Sequence, residues 1–336
     1  SLEPMTRATS YTQWFRNTAR LLILKKADTR WIVDTTQTVL LDAQSGPWAE
    51  LKIAGDLPPC PFNLELRPGD YRIVAVINWG SADWNNDLVP GKVVSDETDG
   101  SLRTPPLLTY TISTHWMNNG YRQLSREVFV AVADFPVPKS GDLHSAGVPP
   151  VTLRAERRVA KFRVLLKDKP SPVNGFSFDM TAHTVQMLLT SKTEPFAEGI
   201  DALGGMYYGD PALYELPCCM STMGDFHSSG TERYQMCQTN STVFSPFVFA
   251  DPASELPIGI LDIDISGASG GYTYKTDQTF ARTLAASKIS GIVFETTDTY
   301  DDSSSQIRID VVEATDDAGN PENAAALFDS FFEWNA

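Results

Sequence analysis

RPGDYRIVAVIN, at residues 67–78, is the stretch that decides the fold class. Pro68 presets φ for the second position of a turn and Gly69 tolerates positive φ at the third, so the RPGD segment predicts a type II turn. The residues of Tyr71–Asn78 are mostly β-branched or aromatic and predict a strand. Asn63–Leu66 alternates just before the turn and predicts the partner strand. A short strand, a Pro-Gly turn and an aromatic-led strand are typical of small antiparallel sandwiches.

Short β-like runs continue on both sides of this stretch in two series, separated by Asp134–Pro150, which is rich in proline and glycine and predicts a domain boundary. The second series opens with Val159–Leu166, where apolar and basic residues alternate as in a half-buried strand. The other predicted strands are Leu21–Lys25, Trp31–Asp34, Thr38–Leu41, Leu107–Ser113, Arg126–Val132, Phe176–Met180, Thr184–Leu189, Val243–Ala250, Ile260–Ile265, Lys288–Phe294 and Gln306–Glu313. We therefore predict an all-β chain of two tandem antiparallel β-sandwich domains, residues 1–150 and 151–336.

Two stretches break the strand pattern. Residues 190–242 show no clear periodicity and predict an irregular insertion packed on the second sandwich, or else an excursion that faces a ligand or partner. Near the C-terminus, Asn320 and Pro321 suit the first positions of a helix, and apolar residues then recur at helical spacing from Ala324 to Phe332. This pattern predicts a short C-terminal helix, with a terminal strand as the alternative.

Composition excludes several classes of protein. The chain has 336 residues, of which 42% are hydrophobic, so it can build a real core and is not disordered as a whole. Its net charge of -15 argues against a nucleic-acid partner. No run approaches the ~20 apolar residues of a membrane helix. Of the four cysteines, Cys237 could bridge to Cys218 or Cys219, or all could pack unpaired.

No constellation for catalysis or metal binding stands out. The segment Gly267–Gly271, GASGG, formally fits the G-x-S-x-G pattern of a hydrolase nucleophile. A nucleophile elbow needs a helix after the serine, whereas the pattern of Tyr272–Lys275 predicts another strand, so the segment predicts a hairpin loop. The acidic segments Thr296–Ser305 and Asp316–Asp317 lack the spacing of a calcium loop and predict solvated loops. We predict no enzyme activity, no cofactor and no metal.

A basic cluster stands out in this acidic chain. Alternation predicts a linker and the solvent face of one strand, with an electrostatic seam to the acidic end of the chain or to a partner as the alternative. Its members are Arg154, Arg157, Arg158, Lys161, Arg163, Lys167 and Lys169.

Two segments together carry a resemblance to a known family. Leu66–Trp79, LRPGDYRIVAVINW, resembles the signature strand of transthyretin-like sandwiches. Together with Leu153–Val164, LRAERRVAKFRV, it is similar to the fimbrillin-associated anchor proteins of Bacteroidales-type (type V) fimbriae. The resemblance implies two transthyretin-like sandwiches and a non-catalytic fimbrial anchor or minor subunit. It further implies a surface-exposed outer-membrane lipoprotein, tethered through a lipidated N-terminal Cys, that binds the fimbrial stalk subunit by strand complementation. No cysteine precedes Cys60, so that lipidated Cys would lie outside this sequence.

The alternative function is a carbohydrate-binding or adhesin module at the cell surface. Aromatic side chains in loops would supply the platforms for a sugar ring. The candidates are Trp79, Trp84, Trp116, Tyr207 and Tyr208.

Overall fold

The computed structural model describes fourteen ranges of the chain, and the statements below concern these ranges alone. They are residues 2–4, 18–40, 64–77, 83–113, 121–124, 128–139, 151–168, 183–229, 232–238, 247–267, 274–276, 280–286, 289–301 and 306–312.

Every regular element in these ranges is a β-strand. The strands of the first half are β1 Leu2–Pro4, β2 Thr18–Ala27, β3 Arg30–Leu40, β4 Gly69–Ile77, β5 Asp83–Trp84, β6 Val93–Asp96, β7 Pro106–Thr109, β8 Thr111–Ser113, β9 Tyr121–Gln123, β10 Phe129–Val137 and β11 Leu153–Arg157. Those of the second half are β12 Val159–Asp168, β13 His183–Thr190, β14 Gly199–Asp201, β15 Met206–Tyr207, β16 Glu215–Ser229, β17 Glu232–Gln238, β18 Phe247–Phe249, β19 Glu255–Gly267, β20 Tyr274–Thr276, β21 Phe280–Ala285, β22 Ile289–Asp301 and β23 Gln306–Val312. The predicted all-β class is confirmed, whereas the predicted C-terminal helix and the predicted strand Phe176–Met180 lie outside the described residues.

The stretch that opened the sequence analysis forms β4, inside a seven-stranded sheet of order β1-β11-β10-β4-β2-β3-β6. Gly69 has the positive φ that was predicted for it, but its value of 151° is far from the ~80° of a type II turn and the residue is the first of β4. The predicted type II turn is therefore wrong. The Tyr71 hydroxyl donates a hydrogen bond of 2.9 Å to the Arg67 carbonyl and closes the bend.

The predicted partner strand of β4 is wrong. Leu64 and the residues up to Arg67 form no strand, and β4 pairs antiparallel with β2 and β10. β2 and β10 lie far from β4 in the sequence, and both carry long apolar runs. A four-residue alternation next to a turn could not compete with the area that they bury.

The seven-stranded sheet buries side chains on both of its faces. On β2, Leu21 and Ile23 belong to one apolar cluster, while Leu22 and Leu24 belong to the other. All four are fully buried. This explains why β2 and β4 read as continuous apolar runs without alternation.

A ten-stranded sheet, formed by strands of the second half, has the order β20-β19-β13-β16-β17-β12-β22-β23, with β18 paired to β12 and β21 to β19. β12, which was predicted from its alternation, is confirmed as a strand. It lies between β22, which runs parallel to it, and the antiparallel strands β17 and β18. The predicted strands near residues 184–189, 260–265, 288–294 and 306–313 all overlap strands of this sheet.

Pairing crosses the predicted boundary at residue 150 in both directions. β11, from beyond the boundary, pairs with β10 in the seven-stranded sheet. β14 and β15 join β7 and β5 in a four-stranded sheet. The Tyr110 hydroxyl, from the first half, accepts a buried hydrogen bond of 2.7 Å from the Phe249 N–H of the second half. The two rings pack edge to face, with their centroids 4.7 Å apart.

Residues 190–242, predicted to be irregular, contain β14, β15, β16 and β17. The first two strands are too short to show a period. β16 is interrupted by a register shift between Thr222 and Phe226 that breaks its alternation.

The β14–β15 hairpin is held by an aspartate and a glycine. The Asp201 carboxylate accepts hydrogen bonds from the N–H groups of Leu203 at 2.8 Å and Gly205 at 2.9 Å. Gly204 has a φ of 89°, and a Cβ placed there would overlap the Val132 side chain of β10. The hairpin therefore packs on the seven-stranded sheet more closely than any residue with a side chain would allow.

Candidate functional site

Within the described residues, one edge of the seven-stranded sheet is closed by a short strand alone. β1 has three residues and runs parallel to β11, with Leu2 opposite Leu153 and Pro4 opposite Ala155. Proline lacks the N–H that a ladder needs, so β1 contributes few main-chain hydrogen bonds. We call this place the β11 edge.

The side chains of β11 alternate between the core and the surface. Leu153, Ala155 and Arg157 are buried, and the first two belong to the same apolar cluster as Phe129 of the adjacent strand. The Arg157 guanidinium carbon lies 5.3 Å from the centroid of the Phe129 ring, and the side chain is only 1% exposed. A buried guanidinium over an aromatic face is a cation–π contact that is strong when desolvated.

The interpretation of the basic cluster as solvent-facing is therefore wrong for Arg157. Arg157 lies two positions after Ala155 and four after Leu153, and therefore on the core side of β11. The charged residues between these three positions make the alternation hard to recognise in the sequence. Arg154 is exposed as predicted, and Arg158 forms an ion pair of 3.6 Å with Glu156. The side chains of the cluster members from Lys161 onward lie outside the description, as does Lys169 altogether.

A second candidate surface is the loop of residues 208–214 between β15 and β16, which we call the tyrosine loop. Its Tyr208 and Tyr214 are 38% and 44% exposed. Arg103 reaches it from another loop, with Nη1 3.0 Å from the Asp210 carboxylate and Nη2 3.4 Å from the Tyr208 carbonyl.

The backbone of the tyrosine loop is fixed at both ends. The Phe196 N–H donates to the Leu213 carbonyl at 2.7 Å, and the Ser191 N–H donates to the Tyr214 carbonyl at 2.9 Å. At the other end, the Glu198 N–H donates to the Tyr207 carbonyl at 2.7 Å, directly before the loop. The exposed rings are thus carried by a loop that is anchored to its neighbours.

The Tyr208 hydroxyl lies within the field of two carboxylates. Partial burial raises the pKa of the Tyr208 hydroxyl, and the negative charges of Asp251 and Glu194 raise it further. These two residues come from different connections, one after β18 and one before β14. The hydroxyl edge of Tyr208 therefore lies in a negative field while part of its ring is open to solvent.

The five aromatic residues predicted to face a ligand have different positions. Trp84 is 8% exposed, and the Arg20 guanidinium lies 4.1 Å from its ring centroid, so it has little free face for a sugar. Tyr207 is half-buried in β15, and Tyr208 is exposed. Trp79 and Trp116 lie outside the described residues.

Sequence reasoning did not find Arg103, Glu194 and Asp251 as residues that act on Tyr208. These three come from separate segments, and no spacing in the sequence relates them. Tyr214 had a usable signal, because it lies in the same short stretch as the Tyr207–Tyr208 pair.

The region of the G-x-S-x-G pattern has the predicted hairpin form. β19 ends at Gly267, and Tyr274 pairs antiparallel with Ile265, so the element that follows is a strand where a nucleophile elbow needs a helix. Residues 268–273 lie outside the described residues. Among the described residues, no group of three or more His, Cys, Asp or Glu side chains is arranged to hold a metal ion.

The acidic segments and the cysteines can be placed through the strands. Asp298 and Asp301 lie in β22, whereas Asp316 and Asp317 lie outside the description. Cys237 is opposite Thr222, so Cys219 lies three positions away along β16, at a Cα separation of about 10 Å. That is beyond the ~7 Å limit for a disulfide, so of the two alternatives that the sequence left open, this register favours unpaired cysteines over a bridge.

No helix in the described ranges is both long and apolar enough to span a membrane. A scan against protein-family models found no match, and neither did a search of curated proteins.

Solved structures do match the chain over most of its length. The fimbrial anchor protein Mfa2 from Porphyromonas gingivalis is 10% identical with a TM-score of 0.44, and the match covers 92% of this chain and 95% of that one. A candidate adhesin from Bacteroides ovatus is 10% identical with a TM-score of 0.44, covering 93% and 91%. A fimbrial assembly protein from Parabacteroides distasonis is 10% identical with a TM-score of 0.31, covering 92% and 93%.

The names of these structure neighbours agree with the family that the sequence resembles.

Proposed function

We propose that the protein is a non-catalytic fimbrial anchor or minor subunit that tethers a fimbrium to the outer membrane as a surface lipoprotein. The resemblance of Leu66–Trp79 and Leu153–Val164 to the fimbrial anchor family motivates this proposal. The observation that carries it is the β11 edge, because an extended segment of a stalk subunit could pair there with main-chain groups.

The β11 edge suits such an exchange for two reasons. β11 has five residues, whereas β1 covers three of them, so an incoming longer strand would gain hydrogen bonds over the strand that it displaces. The inward side chains of β11 are already packed, so the sheet behind the edge is preformed and little ordering is needed on binding.

The opposite edge of the same sheet is less suitable. It is formed by β6, which has four residues and ends at Asp96. The Asp96 carboxylate accepts hydrogen bonds from the hydroxyls of Thr29 at 3.0 Å and Thr98 at 2.7 Å. A charged, locally bonded terminus is a common way of protecting an edge from pairing.

The anchoring role is tested by deleting the gene in the bacterium that encodes it. We expect fimbriae to be assembled but to be released into the culture medium, as measured by immunoblotting of cell and medium fractions and by electron microscopy. Fimbriae that stay attached to the deletion strain would contradict the proposal.

Use of the β11 edge is tested by locking β1 in place with the double variant Glu3→Cys and Arg154→Cys, which are register partners. We expect the oxidised protein to lose binding of the stalk subunit from the same bacterium, and the reduced protein to regain it. The single variant Glu3→Cys is the control and should bind under both conditions. Equal binding by the locked and reduced forms would rule out this edge while leaving the anchoring experiment unaffected.

A further inference from the structure

We propose that the tyrosine loop and the side chains around it form a binding site for a neutral glycan. This inference is independent of the fimbrial role. A fimbrial anchor or minor subunit could bind a glycan or not, and a protein without a fimbrial role could also bind one.

The first step of the argument is the exposure of the two rings. Six large apolar side chains are exposed in the part of the chain that the structure describes, and two of them, Tyr208 and Tyr214, belong to this one loop. Exposed aromatic side chains that share a surface mark an interaction site more often than scattered ones do. Tyrosine adds contact area at a low cost in side-chain entropy.

The second step is that the loop is held at its ends before any ligand arrives. Backbone hydrogen bonds from Ser191 and Phe196 hold its C-terminal end. Arg103 clamps its N-terminal end through Asp210 and the Tyr208 carbonyl. Rings that are already positioned lose little freedom on binding, which matters for a weak ligand.

The third step is the mixture of polar groups beside the rings. The largely exposed Asp210 carboxylate offers acceptors, and Arg103, whose Nη2 lies 3.4 Å from the Tyr208 carbonyl, offers donors on the same surface. A sugar presents hydroxyls that donate and accept, together with C–H faces that pack on an aromatic ring. The site therefore offers a complement to both kinds of surface.

Charge selects among glycans and against other partners. The whole chain carries a net charge of -15, and the carboxylates of Glu194, Asp210 and Asp251 outnumber the single guanidinium at the site. An anionic polysaccharide would be repelled. A basic peptide would be attracted by the carboxylates, but Arg103 already occupies Asp210 and would oppose a second cation there.

The site is tested by affinity electrophoresis of the purified protein in gels that contain mannan, xylan, galactan or soluble starch. Heparin and poly-lysine serve as anionic and cationic probes. We expect at least one neutral polysaccharide to retard the protein, and the Tyr208→Ala variant to weaken the apparent affinity at least tenfold. Tyr214→Ala should weaken it as well.

The matched control is Val89→Ala, which removes an apolar side chain that is 54% exposed outside this loop and should leave retardation unchanged. Circular dichroism and thermal unfolding check that each variant is folded. Three results would each overturn the proposal: no retardation by any neutral polysaccharide, retardation that survives Tyr208→Ala, or binding to poly-lysine alone. The last of these would identify a site for basic peptides.

Discussion

Asp201 is a half-buried carboxylate that closes a tight hairpin. Burial raises its pKa, and the N–H groups of Gly205, Leu203 and Gly204 together with the charge of Arg72 offset part of that effect. A raised pKa in the folded state means that the protonated form is favoured by folding. The stabilising contribution of Asp201 is therefore complete below the unfolded pKa of about 3.9 and is lost as the pH rises through the folded value.

We expect Asp201→Asn to remove this pH dependence. Asn keeps the side-chain oxygen that accepts from Leu203 and Gly205, but it has no charge to desolvate. The free energy of unfolding of the variant, minus that of the wild type, should rise between pH 4 and pH 7, as measured by urea unfolding at several pH values. Arg72 donates hydrogen bonds to the Asp134 carboxylate and lowers its pKa. Because Asp134 titrates in both proteins, its contribution to the free energy of unfolding cancels in the difference. A difference that stays flat or falls over this range would show that ionised Asp201 is not penalised by burial.

At the scale of elements, the β14–β15 hairpin depends on a close approach that only glycine permits. Gly204 and Gly91 share the same φ of 89°, but a Cβ on Gly204 would overlap Val132, whereas one on Gly91 would meet nothing within 4 Å. The two positions therefore separate backbone strain from packing.

We expect Gly91→Ala to lower the free energy of unfolding by about 1 kcal/mol, from the positive φ alone. Gly204→Ala should cost more, by a further ~1–3 kcal/mol, because the hairpin must move away from the sheet. Denaturant unfolding of both variants measures the difference. Equal losses would indicate that the hairpin yields to the methyl group at no cost.

The strands of this protein differ in how well the sequence predicts them. The strand of residues 71–77 and the alternation of residues 159–166 were predicted correctly, because each carries its signal within one continuous run. The β14–β15 hairpin was missed, because strands of two and three residues are too short to show a period. A glycine such as Gly204 in the sequence does not reveal whether its position requires a positive φ or a close contact. The partner of β4 was also missed, because strand pairing is decided by distant segments that compete for the same edge.

The same limit applies to the candidate sites, because their residues come from distant segments of the chain. Tyr208 could be proposed from sequence as an exposed aromatic, and its exposure agrees with that. Arg103, which contacts the Tyr208 carbonyl, lies 105 residues away from it in the sequence. Glu194 and Asp251, whose charges raise the pKa of Tyr208, belong to two other connections of the chain. Trp84 carried the same local signal as Tyr208, yet Arg20 and the core enclose it.

At the scale of the whole molecule, the two halves of the described chain share one apolar core. A single cluster contains Leu22 and Val76 of the seven-stranded sheet together with Phe249 and Leu284 of the second half. Main-chain hydrogen bonds continue across this contact, since Arg158 donates to the Val128 carbonyl and accepts from the Ala250 N–H, both at 2.9 Å. Tandem domains joined only by a linker would instead unfold separately.

We expect the protein to unfold in one calorimetric transition, with equal calorimetric and van't Hoff enthalpies. Tyr110→Phe should lower the temperature of that single transition, because it leaves the buried Phe249 N–H without its acceptor, at a cost of about 1–3 kcal/mol. Tyr214→Phe is the control, since its side chain is exposed and the change should stay within about 0.5 kcal/mol. If the thermogram separates into two transitions, and Tyr110→Phe shifts only one of them, then the shared core does not couple the halves. In that case the chain would behave as two independent sandwiches, and a load applied to one half of an anchored subunit would not be carried by the other.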